Sequence, residues 1–122
     1  MDRDIHTSDT LLNSIHTVLN NHKALDIVNI DLKQKSSIAD HMVIATGRSH
    51  RHLNALADTL TKSVKKAGLK PLSINGVKTS DWILVDLGDV IVHLFHPEAR
   101  EYYNLEKMWK VNSTDSQMSY VS

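Results

Sequence analysis

The sequence predicts a single α/β domain with a mixed β-sheet flanked by helices. Three observations carry that expectation. The chain has 122 residues and 41% hydrophobic content, enough for one ordinary core. Apolar residues recur at helical spacing in some segments and as short runs or alternations in others. One helical segment lies between strands, which favours a parallel crossover, whereas a late pair of strands around a tight turn is antiparallel.

The elements follow in order. Ser8 or Asp9 can cap a first helix, in which Leu11, Leu12, Ile15, Val18 and Leu19 form the apolar stripe. Leu25 to Leu32 alternates, with Val28, Ile30 and Leu32 on one face and Ile27, Asn29 and Asp31 on the other, as a strand does. Lys33 to Asp40 is polar and reads as a loop. Met42 to Thr46 is a short apolar run, predicted to be a buried strand that Gly47 ends. Ser49 is suited to cap the next helix, whose stripe is Leu53, Leu56, Ala57, Leu60, Val64 and Ala67. Gly68 suits its left-handed end and Pro71 prevents continuation. Leu72 to Ile74 starts another strand, and Asn75-Gly76 turns the chain. Trp82 to Val85 and Val90 to Phe95 flank Asp86-Leu87-Gly88-Asp89, a hairpin in which Gly88 supplies a positive backbone angle. Pro97 opens a last helix, with Glu98 at its positive end and Tyr102, Tyr103, Leu105 and Met108 following. The domain is expected to run over 1–109, and residues 110–122 to form a disordered polar tail.

Composition narrows the function classes. The chain has no cysteine, which removes disulfides and thiolate zinc sites and fits a reducing, cytoplasmic setting. No apolar run approaches the roughly 18 residues of a membrane span, and the polar stretch Met1 to Asp9 lacks a signal-peptide apolar region. No membrane association is expected. Fourteen basic residues balance fourteen acidic ones, and this disfavours a dedicated nucleic-acid binder. The distribution is uneven, however. Arg48 to Lys70 holds six cations against Asp58, a local balance of +5. Asp81 to Trp109 holds six acids against Arg100 and Lys107, a local balance of −4. Such asymmetry either steers partners of opposite sign or merely keeps two faces solvated.

The histidines, carboxylates and serines are the side chains that could carry chemistry. Among the eight histidines, His50 and His52 do not share a helical face, and His93 and His96 lack the adjacent glutamate of a metalloprotease pair. Asp86 and Asp89 resemble a Mg²⁺-binding pair, and Gly47 with Ser49 a phosphate-binding helix start. Diagnostic companions are missing from both, and Asp and Gly are ordinary turn residues. No serine stands in a nucleophile elbow. No catalytic residue, metal or cofactor is therefore expected. A docking surface is better supported, because both tryptophans and two of the three tyrosines fall between Trp82 and Trp109, among the acids.

Two stretches carry a resemblance to a known family. Ser36-Ser37-Ile38-Ala39-Asp40-His41-Met42-Val43-Ile44-Ala45-Thr46-Gly47-Arg48-Ser49, continuing into Arg51-His52, is similar to the first signature of the Iojap-like ribosomal silencing factors. Asp81-Trp82-Ile83-Leu84-Val85-Asp86-Leu87-Gly88-Asp89-Val90-Ile91-Val92-His93, followed by Arg100, Tyr103, Leu105-Glu106-Lys107 and Trp109, is similar to the second. The resemblance covers roughly Asp9 to Trp109 and implies a fold like the nucleotidyltransferases without their catalytic equipment. It implies a non-enzyme that binds a basic large-subunit ribosomal protein at an intersubunit bridge, blocks subunit joining and represses translation when nutrients are short. It also implies a homodimer. On this reading Asp81, Trp82, Asp86, Asp89, Tyr103 and Glu106 form the contact, with Trp82 or Tyr103 as anchor. Two rivals stand beside it: a metal-dependent nucleotidyltransferase-like enzyme using Asp86 and Asp89, and an RNA-binding assembly factor using Arg48 to Lys70. The basic helix is also expected as a ribosomal RNA contact beside the main one.

Overall fold

The computed structural model describes residues 8–76, 81–105 and 107. They form α1 (Ser8–Asn21), β1 (Leu25–Asp31), β2 (His41–Thr46), α2 (His50–Lys66), β3 (Ser73–Asn75), β4 (Trp82–Asp86), β5 (Val90–Phe95) and α3 (Pro97–Tyr103), in the predicted order. The strands make one mixed sheet in the order β1-β2-β5-β4-β3. β2 and β5 are parallel, and the other three pairs are antiparallel.

The crossover through α2 departs from the simplest expectation. It carries the chain from β2 to β3, which run in the same direction but are not neighbours. The meander β3-β4-β5 then folds back, so that β5 fills the place beside β2. The physical reason is in the strands themselves. β2 is buried at every position and β5 at nearly every one, whereas β3 is exposed throughout. The two most apolar strands belong at the centre, where both faces are covered.

Alternation sends the side chains of the strands other than β3 to two cores. Val43, Ala45, Ile83, Val85, Val92 and Leu94 meet Leu11, Ile15 and Leu19 of α1 and Leu53, Leu56, Leu60 and Val64 of α2. Met42, Ile44 and Phe95 point the other way, with Ile30 and Leu32, and Ala99 of α3 joins them there. Val28 and Trp82 pack against this second cluster. Ala67, expected in the apolar stripe of α2, is exposed at the helix end instead. The side chains of Met108 and Trp109, the tail 110–122 and the first seven residues lie outside the described residues.

Local signals set the ends of the elements. Ser49 has extended backbone, and its hydroxyl accepts from His52 N at 3.0 Å, capping α2. Gly47 is needed for a close approach: a Cβ there would lie 2.8 Å from Leu53 Cδ2 and 3.2 Å from Leu53 N. Gly88 takes φ +90 in the β4-β5 turn, as predicted. Asn104 ends α3 in the left-handed conformation.

Candidate functional site

At the end of the sheet where β4 begins and β5 ends, α3 leans over Trp82. Asp81, Trp82, Glu98, Ala99, Tyr102 and Tyr103 line an open cleft of about 420 Å³ there. Its position follows from three local features. Backbone pairing of His96 N with Asp81 O at 2.8 Å closes the sheet end. Pro97 starts α3 immediately after it. The Arg100 guanidinium then donates to Thr46 Oγ1 at 2.7 Å, tying α3 to β2.

The floor of the cleft is an aromatic cluster. Trp82 lies 5.0 Å from Phe95, 4.7 Å from Tyr103 and 5.6 Å from His93, measured between ring centroids. Tyr102 stands edge-on to Tyr103 at 5.1 Å. Pairs of this kind contribute about 0.5–1.5 kcal/mol beyond their buried area. Trp82 Nε1 donates to His93 Nδ1 at 2.9 Å, so the His93 proton resides on Nε2. Burial pushes the His93 pKa down to about 4, so the ring is neutral near pH 7. The cluster is thus closely packed where it is buried and open where Tyr102 and Tyr103 protrude, 81% and 47% exposed.

Carboxylates edge this floor. Asp81 and Glu98 are both exposed. The Asp81 carboxylate also meets His50 Nε2 at 2.5 Å, which joins the start of α2 to the cleft. The His50 ring lies 5.4 Å from that of His96.

The predicted contact residues do not all come together. Asp81, Trp82 and Tyr103 share the cleft. Asp86 and Asp89 lie at the opposite end of β4, five residues or about 16 Å away at strand spacing. Asp86 Oδ1 accepts from Gly88 N at 2.9 Å and so serves the turn, while Asp89 is exposed beside it. The Glu106 side chain lies outside the described residues. Glu98 and Tyr102 line the cleft and were not among the predicted contacts. Their i,i+4 spacing puts them on one helix face, but Ala99 and Tyr103 share the same spacing.

The remaining candidates have structural roles. His52 Nδ1 accepts from Arg48 N at 3.0 Å, and its Nε2 donates to His22 O at 2.9 Å. It therefore points away from His50, which faces Asp81. His93 is enclosed in the aromatic floor. The Ser49 hydroxyl is engaged by its own helix. His41 is different: it is buried on β2, neither ring nitrogen is hydrogen-bonded among the described residues, and Asp9 Oδ1 lies 3.6 Å from Nε2.

Comparisons with known proteins bear on this arrangement. The family model described as "Ribosomal silencing factor during starvation" matches residues 5–121. A ribosomal silencing factor of Zymomonas mobilis is 48% identical over 101 residues, covering 83% of this chain and 76% of the relative. One from Haemophilus influenzae is 46% identical over 99 residues, covering 81% and 97%. A crystal structure of a Chromobacterium violaceum protein superposes with a TM-score of 0.83 at 33% identity, covering 85% of this chain and 87% of that one. The chain belongs to the RsfS family of ribosomal silencing factors.

Family membership gives the motif residues a common frame. Ile83, Val85, Val92 and His93 of the second signature are buried, Gly88 makes the turn, and Arg100 braces α3. Asp81, Asp89 and Tyr103 of the same signature face solvent. In the first signature β2 is core, and Gly47 with Ser49 shapes the start of α2. Among the described residues no helix is long and apolar enough to cross a membrane.

Proposed function

We propose that this chain silences ribosomes by occupancy, seating a cationic side chain of a large-subunit ribosomal protein in the Trp82-Tyr102-Tyr103 cleft. The observation that carries the reading is the cleft itself: aromatic faces with carboxylates on their edge. Lysine and arginine are attracted to aromatic faces within about 6 Å of the ring centroid. Asp81 and Glu98 supply the opposite charge, and the packing of Trp82 against Phe95 and Tyr103 limits the side-chain entropy lost on binding. Asp89 lies at the far hairpin, away from the cleft, and Asp86 holds that turn.

Bound at an intersubunit bridge, a domain of this size obstructs the small subunit sterically. Translation falls as the factor occupies free large subunits, which agrees with the starvation role in the family's description. No chemical step is needed, and the protein acts in the cytoplasm where ribosomes are. The engagement of Asp86 by the turn weighs against the metal-enzyme alternative.

The test is co-sedimentation with separated subunits, followed by a subunit-joining assay. Wild type should pellet with large subunits and inhibit joining, and Asp81→Lys with Glu98→Lys should abolish both. A doubly reversed variant that pellets and inhibits like wild type would show that the cleft is not the contact. Large-subunit binding without inhibition would point to an assembly role instead. That role matches the name of a mouse relative, "Mitochondrial assembly of ribosomal large subunit protein 1", 37% identical over 109 residues.

A further inference from the structure

We infer that the outer face of α2 is a second binding surface that takes the phosphate backbone of RNA. Arg51, Ala55, Asp58, Lys62, Lys65 and Lys66 lie opposite the buried stripe Leu53, Leu56, Leu60 and Val64, and all six are exposed. Arg48 precedes this row and Lys70 follows it. Asp58 is the single acid on α2, and its carboxylate is held by Lys62 at 3.0 Å.

The cations do more than stabilise their helix. Lys65 and Lys66 complement the negative end of the helix dipole. Arg48 and Arg51 stand at the positive end, where cations are unfavourable, and the first turn of α2 contains no acid. Helix stability accounts for half of the pattern and opposes the other half. An external polyanion running the length of the helix accounts for both halves.

The occupant follows from what the face lacks. A helix that binds anionic membranes inserts an apolar face into the lipid. The apolar face of α2 is already buried in the core. Only point charges remain, from Arg51 to Lys66 along about 22 Å of helix, and such a row suits phosphates without reading bases. The row starts one residue after His50, which touches Asp81 of the cleft. A partner in the cleft would therefore set the row against the surface beside it. The ribosomal setting of this inference rests on the proposed function, and the RNA contact itself is tested separately.

The experiment measures binding of the full chain to RNA extracted from purified large subunits, and to intact large subunits, across a salt series. The variant replaces Arg51, Lys62, Lys65 and Lys66 with alanine, which favours helix. A second version with glutamine keeps the stem lengths, and circular dichroism checks both. Wild type should bind extracted RNA with steep salt dependence. Both variants should lower the slope of log K against log salt by about three, since each phosphate contact contributes roughly 0.7–0.9. Their affinity at low salt should fall at least tenfold. Variants with wild-type affinity and slope would overturn the inference. So would variants that lose intact subunits while wild type ignores extracted RNA, because the row would then face an acidic protein. Asp81→Lys with Glu98→Lys, measured in parallel, should retain extracted-RNA binding while losing intact subunits. If it retains both, the cleft reading fails and the RNA surface stands.

Discussion

At the scale of single residues, His93 couples the aromatic floor to pH. Unfolded, it titrates near 6.5; folded, burial holds it at about 4. The unfolded chain therefore takes up the proton first as pH falls. The stability this ring contributes is complete above pH 6.5 and is lost progressively between 6.5 and 4, by up to about 3 kcal/mol. Chemical denaturation at pH 7.5 and 5, followed by circular dichroism, should show the loss. His93→Gln, which can still accept from Trp82 Nε1, should flatten the pH dependence. An unchanged slope in that variant would assign the acid sensitivity elsewhere. Gly47→Ala places a Cβ 2.8 Å from Leu53 Cδ2, and overpacking of this kind costs about 1–3 kcal/mol. Its Tm should drop by several degrees, whereas a wild-type Tm would mean that Leu53 yields easily. Periodicity marked Gly47 as a strand end, but it could not show which side chain made glycine necessary.

At the scale of elements, the ends are where sequence and structure agree best. Ser49 at the cap of α2, Gly88 in the hairpin and Pro97 at the start of α3 were each legible because the chemistry is local: one residue satisfies or frees a backbone group within four positions. Ser49→Ala should lower stability by about 1 kcal/mol. Asp86→Ala removes the bond from Gly88 N and should cost a similar amount. Urea denaturation with unchanged m-values would check both. If Asp86→Ala instead left stability intact and abolished large-subunit binding, the aspartate would be a contact and not a turn brace. Helix α3 was harder to read. Its seven residues hold three i,i+4 pairs, of which two carry a tyrosine, Glu98 with Tyr102 and Ala99 with Tyr103. Pattern alone does not say which pair faces Trp82. Packing does: Ala99 is buried, Tyr103 lies against Trp82, and Tyr102 is left outside.

At the scale of the whole molecule, one tyrosine and one tryptophan should separate folding from docking. Tyr102→Ala should leave thermal stability within about 0.5 kcal/mol, as for other exposed positions, and sharply reduce co-sedimentation with large subunits. Trp82→Ala should lose both, because Trp82 also packs on Phe95 and donates to His93. Equal ribosome binding by Tyr102→Ala and wild type would remove Tyr102 from the anchor. The arrangement around the cleft depends on the sheet order. Asp81 lies beside His50 because the β3-β4-β5 meander brings the start of β4 next to the start of α2. The acidic and basic segments, separate in sequence, thereby become adjacent surfaces of one domain.

The sequence by itself determined the eight elements, most of their caps and turns, the uneven charge and, through two long motifs, the family. These are properties of neighbouring residues, and short-range sterics and hydrogen bonding make them readable. Only the tertiary structure decided that β5 lies between β2 and β4, and that Asp81 shares a cleft with Glu98 and Tyr102 and not with Asp86. Those outcomes depend on which apolar surfaces bury each other across the whole chain. Burial is non-directional and leaves no fixed spacing in the sequence. The two ends of β4, both acidic and both within one motif, read alike along the chain and serve different purposes in space.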